Sequence, residues 1–90
     1  MAITFDPRKD ALNRRKHGIS LAEAAAFEWE TAVIWVDQRF HYTELRECAL
    51  GLIGNTLYLM VFVQHGNNER IISLRKANKA EVRRYAAYRT

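Results

Sequence analysis

Between residues 45 and 74 the chain reads as three strand-like runs split by two turn signals, and this stretch limits the possible folds most severely. Residues 45–53 alternate, with Arg46, Cys48, Leu50 and Leu52 set against Leu45, Glu47, Ala49 and Gly51. A period of two places these sets on opposite faces of a strand. Gly54-Asn55 then offers hairpin turn chemistry. Residues 57–63 are apolar on both faces, as a strand near the centre of a sheet requires. Gly66-Asn67-Asn68 turns the chain into a last strand over 70–74.

The flanking segments complete an α+β pattern. Ile3-Thr4-Phe5 is a short strand, and Asp6 caps a helix whose first position suits Pro7. That helix covers 8–17 and ends at His17, because Gly18 tolerates the positive φ of a helix terminus. Ser20 and Glu23 have capping-box spacing and open a second helix to about Trp29, with Leu21, Ala24, Ala25 and Glu28 on one face. The β-branched and aromatic run 32–36 is a strand that ends at Asp37-Gln38-Arg39. Asn78 and Glu81 start a final helix through Val82, Tyr85, Ala86 and Tyr88. The expected order is β-α-α-β-β-β-β-α in one domain, 1–90, with strands two to five an antiparallel meander and helices packed against the sheet.

At 90 residues there is room for one small core. The formal charge is +4, and ten of the fourteen bases are arginine, whose planar fork grips phosphate oxygens in pairs. A charge of +4 also fits an ordinary solvated surface. Cys48 is the only cysteine, so it forms no intramolecular disulfide and reads as a small buried hydrophobe. No run approaches a membrane span and the first residues lack a signal-peptide core, so a cytoplasmic protein with no membrane partner is expected. His17, His41 and His65 lie about two dozen residues apart, without metal-site spacing. The four glycines are dispersed and form no nucleotide-binding loop. Neither metal nor cofactor is expected. Ser20 is committed to a cap and Ser73 to a strand, which leaves no serine nucleophile.

One chemistry fits the remaining groups: cleavage of RNA by its own 2′-hydroxyl. That reaction needs a proton acceptor, a proton donor for the leaving 5′ oxygen, and fixed cations at the phosphate. His17 and His65 are the acid/base candidates, with Glu44 or Glu47 as a base and Tyr85 as a donor. Arg70, Arg75 and Lys76 would stabilise the phosphorane, and Lys16 and Arg46 would bind RNA. Each has a structural alternative. His17 and Lys16 complement the negative end of a helix, and His65 is an exposed loop residue. Arg75 and Lys76 pair with Glu81, Tyr85 and Tyr88 form a packing stripe, and Trp29 and Trp35 are core or interface anchors. Strict alternation puts Ile71, Ser73 and Arg75 on one face and Arg70, Ile72 and Leu74 on the other. Arg75-Lys76 is therefore expected as a cationic corner after the strand, with Arg70 at its opposite end. A nuclease centre requires both arginines and an imidazole around one hollow.

Asp6, Lys9, Asn13, Lys16-His17-Gly18-Ile19-Ser20, Glu23-Ala24, Asp37, Glu44, Arg46, Gly51, Arg70-Ile71-Ile72-Ser73, Arg75-Lys76-Ala77, Glu81 and Tyr85 together resemble the BrnT toxin family over nearly the whole chain. The resemblance implies a RelE-like fold and a ribonuclease that inhibits translation until a BrnA-like antitoxin neutralises it. It also implies that operator DNA is met only indirectly, through the antitoxin. In two places the chain departs from the family pattern. Val63 and His65 stand where a threonine and an arginine are usual, and Leu74 replaces an alanine. A histidine is not reliably charged at neutral pH, so an attenuated toxin or a non-catalytic RNA- or antitoxin-binding module is the alternative.

Overall fold

Helix α1, Pro7–His17, is bounded as its sequence dictates. In the computed structural model, which describes residues 2–39 and 43–89, the Arg8 N–H donates to the Asp6 carboxylate at 2.8 Å. Gly18 takes φ 71° and returns its N–H to the Arg14 carbonyl. The helix is polar nearly throughout, and its one buried side chain is Asn13. Hydrogen bonds therefore dock it. The Asn13 amide donates to the Leu74 carbonyl at 2.7 Å and to the Ile19 carbonyl at 2.9 Å, while its oxygen accepts the Leu74 N–H at 3.0 Å. Asp10 supplements this by accepting from the Ser20 hydroxyl and the Leu21 N–H.

The sheet has the order β1-β5-β4-β3-β2, from β1 (Ala2–Thr4), β2 (Val33–Val36), β3 (Glu47–Ile53), β4 (Thr56–His65) and β5 (Asn68–Lys76). Strands β2 to β5 pair antiparallel, as expected of a meander. The sheet as a whole is mixed, which corrects the pure meander: β1 runs parallel to β5, with Thr4 opposite Arg70. This strand is only three residues long. Below it the edge of β5 is open, and Asn13 supplies the hydrogen bonds a further strand would have made.

The second helix is replaced by two 3₁₀ segments, Leu21–Ala26 and Trp29–Thr31. Leu21, Ala24 and Phe27 are all buried, and a spacing of three lines up on a helix with three residues per turn. The Ser20 hydroxyl accepts from Ala22, so the expected Ser20–Glu23 box is not its cap. The reciprocal box forms at the last helix, α2 (Lys79–Arg89), where the N–H groups of Asn78 and Glu81 each reach the other's side chain at 2.8 Å.

Two apolar clusters sandwich the sheet. Leu21, Ala24, Phe27, Ala49, Met60, Phe62, Ile71 and Leu74 lie under the 3₁₀ segments. Cys48, Leu50, Leu59 and Val61 lie on the other face, joined by Trp35, Ile72 and Tyr85. Phe27 crosses β3 at Gly51, where a Cβ would come within 2.4 Å of the ring. No described helix is long and apolar enough to cross a membrane.

Asn13→Ala strands the N–H and C=O of Leu74 in a buried site and is expected to lower stability by about 2–4 kcal/mol in urea unfolding. Gly51→Ala, which forces the Phe27 ring aside, is expected to cost about 1–3 kcal/mol. Much of that cost should disappear in a Phe27→Leu background.

Candidate functional site

A bulge in β5 decides which cations share a face. Ser73 pairs with Val61, but Ile71 pairs with Phe62, so Ile72 is an extra residue on the β5 side. Beyond it Arg70 lies opposite Val63, while Arg75 lies opposite Leu59. Val63 and Leu59 are four residues apart on one strand, so the two arginines share a face. The expectation from strict alternation is thereby corrected. So is the post-strand corner: Arg75 and Lys76 are the last two residues of β5 itself. The arginine positions stand roughly 13 Å apart along the strand, and each guanidinium is engaged by a different carboxylate, Arg70 by Glu44 and Arg75 by Glu81.

Each arginine lines its own hollow and no described histidine lines either. The expected single hollow bordered by both arginines and an imidazole is therefore not formed, and any phosphate site rests on one arginine's surroundings alone. Arg70 joins Asp6, Lys9, Glu44, Arg46, Ile71 and Ile72 around a cavity of about 210 Å³. One Glu44 oxygen accepts from the Arg70 guanidinium at 3.1 Å and lies 3.6 Å from that of Arg46. Thr43 donates to the other oxygen at 2.9 Å, and this hydrogen bond, aided by the two arginines, holds the Glu44 carboxyl below the usual range. A carboxylate between two guanidiniums marks where a phosphate oxygen fits.

Arg75 is engaged differently. Both its terminal nitrogens donate to Glu81 at 2.9 Å, and one also reaches the Lys76 carbonyl. Burial by itself would raise the Glu81 carboxyl, but the bonds from Arg75 and the Asn78 N–H outweigh it and leave the group low. Arg75 thus fastens the start of α2, the pairing named as its structural alternative. The surrounding hollow, about 450 Å³, is lined by Trp35, Asp37, Arg39, Cys48 and Arg84 among others. Burial pushes the Cys48 thiol up, away from the reactive thiolate.

The remaining candidates divide between the two ends of the sheet. His65 closes β4 opposite Asn68, two residues past Val63 and on the same face, toward the Arg70 end. His17 is exposed at the end of α1, within electrostatic reach of Arg75. Tyr85 donates its hydroxyl to the Thr31 carbonyl at 3.1 Å and so pins α2. Lys16 and Lys76 are exposed, and Glu47 pairs with Val36 and Phe62 within the sheet. Trp29 is part of the first core, while Trp35 lies beneath Arg84, whose guanidinium carbon is 4.1 Å from the ring centre. His41 lies outside the described residues. Among those described, no group of three or more His, Cys, Asp or Glu is placed to hold a metal. Lys9 received no role from the sequence, since only the parallel β1–β5 pairing carries the start of α1 to Arg70.

Although His17 is exposed, the slight desolvation it does meet lowers its imidazole below the ordinary 6.5, and Lys16 and then Arg75 add to the effect. The fold thus favours the neutral ring, and stability should fall as pH drops from 6.5 through the folded value. Lys16→Ala should raise the His17 titration midpoint in NMR while leaving it below 6.5.

Residues 5–81 match the family described as "Ribonuclease toxin, BrnT, of type II toxin-antitoxin system". No curated protein gives a significant match. Since the matched segment spans most of its length, the chain belongs to the BrnT family of ribonuclease toxins of type II toxin–antitoxin systems.

Proposed function

We propose that the chain cleaves RNA without a metal ion, that it holds the scissile phosphate in the Lys9–Arg46–Arg70 hollow, and that translation stops as a result. The carrying observation is the Glu44 carboxylate bound by Arg70 and beside Arg46, an anion already seated among fixed cations. In the reaction the ribose 2′ oxygen bonds to phosphorus and its proton passes to Glu44. The bond from phosphorus to the 5′ oxygen breaks, and that oxygen takes a proton from the His65 imidazolium. The products are a 2′,3′-cyclic phosphate and a 5′-hydroxyl. Arg46, Arg70 and Lys9 balance the charge that builds on the phosphorane. Arg75, held by Glu81, acts by fixing α2. The reading includes a RelE-like fold, cytoplasmic action and neutralisation by a BrnA-like antitoxin that supplies any contact to operator DNA.

A second reading rests on the same carboxylate. If Glu44 keeps the hollow closed, the chain binds RNA or antitoxin without cutting, and His65 in place of the family's arginine favours that outcome.

The test incubates the purified chain with RNA in excess chelator and scores cyclic-phosphate ends. Arg70→Ala and Arg46→Ala are each expected to reduce cleavage by about 10²–10³-fold at unchanged melting temperature. Arg75→Ala should chiefly lower the melting temperature. Cleavage that requires an added divalent metal, or that survives Arg70→Ala intact, would overturn the proposal. RNA that binds but stays whole selects the second reading.

A further inference from the structure

Charge is segregated along this basic chain. Residues 18–38 contain Glu23, Glu28, Glu30 and Asp37 but none of the fourteen bases. Asp37 is paired with Arg39 at 2.8 and 2.9 Å, whereas Glu23, Glu28 and Glu30 are exposed along the two 3₁₀ segments. That surface belongs to the sheet face opposite Arg70.

Glu69 lies beneath the same surface. Its backbone pairs with Ile3 and Gln64, and the residue is only 2% exposed. One carboxylate oxygen, Oε1, is buried with no hydrogen-bond partner among the described residues. The residue borders a hollow of about 320 Å³ with Ala2, Ile3, Ala24, Ala25 and Trp29. A second hollow, about 560 Å³, shares Trp29 with it and is also lined by Glu28 and Glu30. Trp29 packs edge-on against Phe27 at 5.1 Å and Phe62 at 5.0 Å.

A buried acceptor with no donor is costly, and an arriving cation removes that cost. An arginine or lysine fits on three counts. Its methylene stem suits the alanine and isoleucine walls, its charged end suits the carboxylate, and an indole face adds cation–π attraction. Phosphate would be repelled by the exposed carboxylates of Glu23, Glu28 and Glu30, which disfavours RNA on this face.

We propose that the Trp29–Glu69 hollow is a docking site for a basic side chain of a protein partner, with Glu28 and Glu30 meeting further bases on the same segment. The family membership makes that partner the antitoxin; this identity, though not the chemistry of the site, rests on the toxin reading. Adjacent β5 residues then serve opposite faces, Arg70 toward RNA and Glu69 toward protein.

The test titrates n-butylguanidinium, below denaturing concentrations, into the full chain while the Trp29 indole N–H is followed by NMR. The expected result is a saturable shift that isosteric n-butylurea does not produce and that is at least tenfold weaker in Glu69→Gln. Absence of saturation, or an equal response to butylurea, overturns the proposal on the unmodified chain alone. Equal affinity in a folded Glu69→Gln variant does so too. RNA takes no part in the measurement, so its failure leaves the nuclease reading standing, and failure of RNA cleavage leaves the docking site standing.

Discussion

Three hydrogen bonds from one amide hold this architecture together. Strand β1 covers only the upper part of β5, and the Asn13 side chain serves as the missing neighbour for Leu74 below it. The same amide grips the Ile19 carbonyl, so α1 and the entry to the 3₁₀ segment are placed by one group. Because α1 has almost no apolar face, polar contacts orient it, those of Asn13 together with the two that Asp10 accepts from Ser20 and Leu21. Its orientation in turn brings Lys9 to the Arg70 hollow and His17 within reach of Arg75. A buried polar contact far from any phosphate thus governs both ends of the open face.

β5 is the meeting point of the molecule's two surfaces. Its side chains alternate between the core beneath the 3₁₀ segments and the face that carries the arginines, and the bulge keeps Arg70 and Arg75 together on the latter. The arginines nevertheless do different work. Arg75 is saturated by a carboxylate at the cap of α2, whereas Arg70 shares Glu44 with Arg46 beside an open hollow. Positive charge was a poor guide to which was which; the partner of each guanidinium separates them.

What could be read from the residues follows the reach of the forces involved. Strands β3 and β4 and their turn were legible because a two-residue period and Gly54-Asn55 are local signals. The limits of α1 and the Asn78–Glu81 box were legible for the same reason. The 3₁₀ segment was readable in principle from the spacing of Leu21, Ala24 and Phe27, but a capping-box pattern at Ser20 obscured it. Nothing local announces the bulge, since Ile71-Ile72-Ser73 contains neither glycine nor proline. The parallel pairing of three-residue β1 was equally silent. The Arg70 hollow draws on three separated segments and exists only once that pairing is made, and the orphaned Glu69 oxygen depends on it as well.

The bulge leaves β5 with one residue more than its partner strand uses. Loss of the Ile72 codon would let Ser73 and Ile71 remain opposite Val61 and Phe62, so every neighbouring side chain would keep its side of the sheet. A codon lost from the middle of β4 has no such slack and would turn half that strand inside out. Length variation in this lineage should accordingly be tolerated at the one point where the alternating pattern of β5 is broken.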